Sequence, residues 1–197
     1  MNSIAFFDFD GTITRKDTLF DFLRFSFGNF RFIFGIFVIS PMLVAFKLKI
    51  ISNTKAKEYL LSWFLKNISI ASFLEMANLY SLIRIDKITR QSTMKKILWH
   101  KRQGHTVVVV SASPKYWLVP WCTKNKLVLL ATKLEIKNGV ITGKISGQNC
   151  YGNEKAKKIL ELYNLGEFDY IYAYGDSAGD REMLDLANYK FYKIFKD

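Results

Sequence analysis

The chain has 197 residues, half of them hydrophobic, and carries a formal net charge of +12. Such a length suits one domain or one core with an inserted cap, and the apolar content is ample for a packed core. The two cysteines, Cys122 and Cys150, lack metal-type spacing, so neither a zinc site nor a disulfide framework is expected.

Residues 1 to about 14 read as a buried strand, Ile4-Ala5-Phe6-Phe7, followed at once by Asp8-Phe9-Asp10-Gly11-Thr12. Passing directly from Met1-Asn2-Ser3 into strand leaves no room for a signal peptide, and a reducing cytoplasm is expected. Residues 15 to 93 hold no convincing buried strand and read mostly as helix. Met94 to Gln103 predicts an amphipathic helix stopped by Gly104. The β-branched run Thr106–Val110 predicts a buried strand ending in Ser111-Ala112-Ser113. A helix follows near Tyr116–Asn125. Asn138-Gly139 predicts a hairpin between Lys133–Ile136 and Val140–Ile145. Asn153 reads as the N-cap of a helix over 154–164, which places Lys155 in its first turn. A cation there is opposed by the helix dipole, which favours an ion-pair role for it. Strand 170–174 runs into Gly175-Asp176-Ser177-Ala178-Gly179-Asp180; helix 180–187 and a strand near Lys190–Lys193 complete the chain.

Each polar group has a local reading: Ser111 as a strand-end hydroxyl, Lys155 as a solvated lysine, Asp176 and Asp180 as turn and cap residues. Their order carries more weight. An acid pair, a hydroxyl, a lysine and a second acid pair succeed one another, and the acids and the hydroxyl follow buried strands. Open α/β sheets hold ligands at that carboxyl edge.

With these motifs the chain resembles the haloacid dehalogenase superfamily of aspartate-nucleophile phosphatases, in its phosphoserine-phosphatase-like branch. Asp8 and Asp10 match the first motif, Ser111 the second, Lys155 the third, and Asp176 with Asp180 the fourth. The resemblance covers nearly the whole chain. It departs from phosphoserine phosphatase itself, which has Asp-x-Asp-Ser-Thr, Ser-Gly-Gly and Gly-Asp-Gly-x-Asn-Asp where this chain has Gly11, Ser111-Ala112-Ser113 and Ser177-Ala178-Gly179.

The resemblance implies an α/β fold: a Rossmann-like parallel-sheet core from residues 1–14 and 94–197, with a helical cap, 15–93, inserted after the first strand. It further implies a Mg²⁺-dependent phosphomonoester hydrolase acting on a small phosphorylated metabolite. A carboxylate is repelled by a phosphate dianion, so a divalent cation must offset that charge. Asp8, Asp10 (through its carbonyl), Asp176 and Asp180 are the implied metal-site residues, Asp180 through the second sphere. Asp8 is the implied nucleophile and Asp10 the acid and base. Thr12, Ser111, Ala112 and Lys155 are implied to hold the phosphoryl oxygens. Transfer to another acceptor through the same aspartyl-phosphate is an open alternative.

Asp17 and Ser113 are candidate substrate-selecting residues, Asp17 because its spacing from Asp10 matches an acidic substrate contact of the branch. An N-cap for the helix that follows explains Asp17 or Thr18 equally well. His105 reads as a strand-entry residue, and neither His100 nor His105 is required. The basic residues are dispersed and match no nucleic-acid-binding motif, so a small anion or an anionic membrane is the expected partner rather than nucleic acid. Phe32–Phe46 reads FIFGIFVISPMLVAF without a charge, after Arg24 and Arg31 and before Lys47 and Lys49. It is short for a membrane span, and Pro41 argues against one continuous helix. Two packed cap helices or an apolar roof over the site is the first expectation. Peripheral contact with a bilayer, and with it a lipid phosphate substrate resembling phosphatidylglycerophosphate, is the second, and a true span or re-entrant element the third. Oligomeric state is not legible.

Overall fold

The structure is a computed structural model describing residues 2–196. Met1 and Asp197, the outer ends of the two expected core segments, lie outside the described residues. Strand β1 (Ser3–Phe7) is buried along its whole length, which is why it reads as an uninterrupted apolar run. Its side chains alternate between two apolar clusters. Ile4 and Phe6 meet Val108, Val110 and Ala173 on one face; Ala5 and Phe7 meet Val107, Val109 and Tyr174 on the other.

After β1 come the helices α1 (Thr18–Lys47), α2 (Asn53–Leu65) and α3 (Ile70–Tyr80). A π-helical turn, Ser81–Ile85, leads into the short α4 (Asp86–Ile88). Then follow α5 (Gln91–Arg102), β2 (Thr106–Pro114), α6 (Lys115–Lys124), β3 (Val128–Lys137), β4 (Val140–Ser146), α7 (Asn153–Leu162), β5 (Tyr170–Gly175), α8 (Arg181–Asp185) and β6 (Tyr189–Tyr192). The six strands form one sheet in the order β4-β3-β2-β1-β5-β6. All neighbours are parallel except β3 and β4. The architecture is the mostly parallel, Rossmann-like α/β fold. Because β1 pairs with β2 on one side and β5 on the other, strand order reverses at β1, and three carboxyl ends meet there. The register sets Phe7 beside both Val109 and Tyr174.

The inserted helices rest on the β3–β4 hairpin and on α6. Asn67 N–H donates to Ile141 O at 2.8 Å and Ile70 N–H to Gly139 O at 2.8 Å. Phe22 stacks on Trp117 at 4.4 Å between ring centroids, and Phe73 lies edge-on to Tyr116.

Four expectations change. The helix of residues 29–47 runs straight through Pro41, and the break falls at Gly28, whose φ of 76° ends one helical stretch and starts the next. Proline removes the donor for the carbonyl four residues back; Ser40 Oγ donates to that carbonyl, Phe37 O, at 2.7 Å instead. β3 begins at Val128, well before the expected hairpin arm, because its first half pairs with β2 and only its second half with β4. Asn153 caps nothing: α7 starts on it, with Gly152 at φ 61° in the cap position. Asp180 begins no long helix; a 3₁₀ turn, Ala178–Asp180, precedes a five-residue α8.

Candidate active site

Asp8 follows β1 directly and its N–H donates to Tyr174 O at 2.9 Å, so the β1–β5 ladder fixes its position. Its carboxylate is buried, and its Oδ1 accepts from Lys155 Nζ at 2.5 Å. Lys155 lies in the first turn of α7 and is 2% exposed; its ammonium also donates to Asp180 Oδ1 at 2.6 Å. Burial opposes a charged Lys155, but the carboxylates of Asp8 and Asp180 outweigh it and hold its pKa above the ordinary lysine value. Burial pushes Asp8 up to about 8, against the pull of Lys155, with Asp180 and Asp10 adding repulsion. Burial also opposes ionisation of Asp180, yet Lys155 and the Ser177 donors bring its pKa below the usual carboxylate range.

Asp180 organises the loop after β5. Its Oδ2 accepts from Asp176 N–H at 3.1 Å, Ser177 N–H at 2.9 Å and Ser177 Oγ at 2.8 Å. Both its oxygens are thereby engaged. Asp176 differs: its Oδ1 is buried and has no hydrogen-bond partner among the described residues, and burial followed by repulsion from Asp180 raises its pKa. Asp8, Asp176 and Asp180 bring one carboxylate oxygen each to within 4.8 Å of one another. Clustered hard oxygens with one orphaned carboxylate oxygen fit a Mg²⁺-sized cation, which takes one or two carboxylates and retains water. Gly11, at φ 89°, lies so close that a Cβ there would overlap the Asp176 carboxylate.

Asp10 is held from two sides. Thr18 N–H donates to its Oδ1 at 2.6 Å, and Ser113 Oγ to its Oδ2 at 2.7 Å, with Ser111 Oγ at 3.4 Å. A chain of donors stands behind Ser113: Trp117 Nε1 to Thr18 Oγ1 at 3.2 Å, and Thr18 Oγ1 to Ser113 Oγ at 3.1 Å. Ser113 lines the pocket, but its hydroxyl is committed to Asp10 rather than free for substrate. Ser111 is fully buried and accepts from Ser113 N–H at 3.0 Å. Thr12 is buried too, and its Oγ1 has no partner among the described residues. The Ala112 carbonyl accepts from a group that the sequence reading passed over: Lys57 Nζ of α2, at 2.9 Å. Lys57 also donates to Asn149 Oδ1 at 3.1 Å.

A cavity of about 340 Å³ opens at these strand ends; Ala112 and Ser113 line it, whereas Ser111 and Thr12 lie buried behind its wall. Asp8, Asp10, Lys155, Asp176 and Asp180 lie on its wall, as do Asp17 and Lys57. Asp17 fulfils the capping expectation, its Oδ1 accepting from Leu19 N–H at 2.9 Å and Phe20 N–H at 3.2 Å, while also facing the cavity. Burial and then the nearby Asp10 raise its pKa to about 6. Burial lowers Lys57 to about 8, although Asp17 and Asp10 favour its charge. Leu19, Phe20, Leu43, Phe46 and Leu60 form an apolar part of the wall, and Asn53, Tyr151 and Ser177 add polar groups. No local signal marks Lys57, one lysine among many on a helix; only the docking of α2 brings it in. His100 and His105 lie elsewhere, joined by an Nδ1···Nδ1 hydrogen bond of 2.9 Å.

Residues 5–185 match the model of the haloacid dehalogenase-like hydrolase family. Protein CicA of Caulobacter vibrioides is 31% identical over 192 residues, covering 96% of this chain and 85% of that protein. A protein of unknown function from Bordetella pertussis Tohama I superposes with a TM-score of 0.77 at 19% identity, over 95% of this chain and 87% of that one. A phospho-aspartyl intermediate analogue of phosphoserine phosphatase gives 0.69 at 20% identity, over 96% and 85%. The fold is thus shared with phosphoserine phosphatases, and the chain belongs to the haloacid dehalogenase-like hydrolases.

Proposed function

We propose that the protein is a Mg²⁺-dependent phosphatase that hydrolyses a small phosphomonoester through an aspartyl-phosphate on Asp8. The observation that carries this reading is the meeting of Asp8, Lys155 and the partly orphaned Asp176 where three strand ends converge. Asp8, the Asp10 carbonyl and Asp176 would hold the cation, with Asp180 behind them, and the bound cation offsets the phosphate charge. A carboxylate oxygen of Asp8 bonds to phosphorus as the ester P–O bond breaks. Asp10 gives its proton to the departing oxygen; it then takes one from the water that cleaves the Asp8–phosphate bond and releases inorganic phosphate. Lys155, Ser111, Thr12 and the backbone at Ala112 hold the phosphoryl oxygens. Thr18 and Ser113 fix the carboxyl of Asp10 in the orientation its proton transfers need.

Beyond the phosphate, Asp17 and Lys57 supply a polar wall and Leu43, Phe46 and Leu60 an apolar one. A cavity of that size fits a small phosphorylated metabolite. The apolar wall favours a second reading, a lipid phosphate monoester. Both free cysteines are buried, and burial raises Cys122 to about 12 and Cys150 to about 11.

The test is phosphate release from a panel of soluble and lipid phosphomonoesters, with Mg²⁺ or with chelator, by the wild type and by Asp8→Asn. The expected result is Mg²⁺-dependent release that falls by roughly 10³-fold or more in the variant. Formation of a new phosphoester instead of free phosphate would identify a transferase. Undiminished turnover by Asp8→Asn would sink the mechanism.

A further inference from the structure

The second half of α1, residues 29–47, is a helix of about 28 Å that is apolar all round. A helix of that composition ordinarily lies inside a core or a membrane. Here only one side is covered. Gly35 and Ile39 are buried, and a Cβ on Gly35 would collide with Phe64 and Trp63 of α2. The opposite side forms a stripe at helical spacing, Phe30, Phe34, Phe37, Pro41, Val44 and Leu48, and all six are exposed. Phe30 is 87% exposed, Phe37 73% and Val44 55%. Contiguous exposed apolar surface of this kind marks an interaction site.

The charges around the stripe identify its partner. From Phe22 to Lys57 there is no Asp or Glu, while Arg24, Arg31, Lys47, Lys49, Lys55 and Lys57 are basic. The acid just before this span, Asp21, is buried and accepts from Arg84 Nε at 2.8 Å. Arg24 and Arg31 therefore flank the first end of the stripe, and Lys47 and Lys49 its last end, without acidic compensation within the span. A second copy of the chain fits poorly: a two-fold contact along this helix would set the basic ends of one copy against those of the other. An anionic surface matches both the apolar stripe and its cationic ends.

We propose that the outer face of α1 docks on an anionic phospholipid bilayer, with the helix lying in the plane of the interface. The helix meets the length and composition criteria for crossing a membrane, and 11% of its most apolar window is buried. Its other side argues for the in-plane arrangement. Gly35 packs against Phe64 and Trp63, Phe32 contacts Phe64, and Leu43 and Phe46 wall the catalytic cavity. Crossing the bilayer would carry α2 and the cavity, with Lys57 and Asp17, into hydrocarbon. Lying flat, the helix buries Phe30, Phe37 and Val44 among the acyl chains and keeps α2 and the cavity on the aqueous side.

Vesicle co-sedimentation of the full chain tests this, using phosphatidylcholine vesicles with and without phosphatidylglycerol over a salt series. The wild type is expected to bind the anionic vesicles and to release as salt rises. F30S/F37S/V44S should weaken binding by about tenfold or more. R31E/K47E/K49E should weaken it by about a hundredfold; it removes the Arg31 guanidinium from over the Phe27 ring, 4.6 Å away, but no apolar side chain. Neither variant touches the catalytic cavity, so turnover of a soluble phosphomonoester should match the wild type and report folding. Asp8→Asn should bind vesicles normally, which separates docking from catalysis. Absence of wild-type binding to anionic vesicles would overturn the proposal, as would binding indifferent to both triple variants. A concentration-dependent dimer that F30S/F37S/V44S disperses would assign the face to a second copy instead.

Discussion

Replacing Lys155 by methionine tests the electrostatic centre of the site. The substitution keeps an unbranched, similarly long side chain and removes the cation. In the native protein that ammonium is 2% exposed and makes two charge-assisted hydrogen bonds, at 2.5 Å to Asp8 and 2.6 Å to Asp180. Each such bond contributes roughly 1.5–3 kcal/mol. Breaking a buried ion pair by removing one partner costs about 3–5 kcal/mol, because the remaining charges lie uncompensated. Protonation of Asp8 relieves part of that cost. Its folded pKa is raised, to about 8 from 3.8, so the proton favours the folded state at low pH and the benefit is lost as pH rises through 8. Removing Lys155 takes away a pull in the opposite direction and extends the relief. The stability gap between wild type and Lys155→Met is therefore expected to widen from pH 6 to pH 9, reaching about 3–5 kcal/mol in chelator. Urea unfolding at the two pH values measures it. Turnover should fall by about 10² or more, since the phosphoryl group loses a buried cation. A gap below about 1 kcal/mol at pH 9, or one larger at pH 6, would refute the idea that Lys155 compensates the acid cluster.

Two further perturbations probe the frame around the site. His100 is buried, accepts or donates at 2.9 Å with both His105 and the Tyr174 hydroxyl, and burial lowers its pKa to about 3 from 6.5. A base with a depressed folded pKa contributes stability above pH 6.5 that is lost as pH falls toward 3; the ceiling is about 5 kcal/mol, and His100→Gln should flatten that acid limb in urea titrations. Parallel pH profiles for the two proteins would contradict it. Gly11→Ala places a Cβ on the Asp176 carboxylate at a backbone φ of 89°, so steady-state phosphate release should drop by about 10²-fold or more; near-normal kinetics would show that Asp176 has room to move.

The strand ends of the candidate site were legible because parallel strands buried on both faces leave a simple signature. Apolar runs stop abruptly at Asp8, Ser111 and Asp176, and the sheet order brings those stops together. Lys155 was legible for a different reason: a lysine in a first helical turn opposes the dipole and so calls for an acidic partner, and it has two. Ser113 was expected to select substrate and Thr18 only to cap a helix; their shared task at Asp10 arises where the start of α1 meets Ser113 and Trp117, far away in sequence, which no local pattern carries. The same holds for Lys57. Its segment reads as an ordinary polar helix start, and its place beside Asp17 arises only when α2, packed on α1 and β4, brings its ammonium to the Ala112 carbonyl of β2.

The first half of β3 and the helix of residues 29–47 escaped sequence reasoning for opposite reasons. Val128–Thr132 follows an exposed turn and changes partner midway, so neither a parallel nor a hairpin template covers the strand. In Phe32–Phe46 nearly every position is apolar, so periodicity holds no information about which side is covered. Pro41 then suggested a break that Ser40 makes unnecessary, while Gly28 provides the actual one. Composition could say that this helix avoids water; it could not say that α2 is long enough to cover only one side. What the sequence did retain is the distribution of charge: no acid between Phe22 and Lys57, and bases at both ends of the apolar run. Acidic residues on the open side would have lent the helix solubility at little cost to the packing beneath. Their complete absence from that side, in a segment whose inner face walls the cavity of the candidate site, fits a surface chemistry of α1 set by what the helix docks on rather than by the stability of the fold.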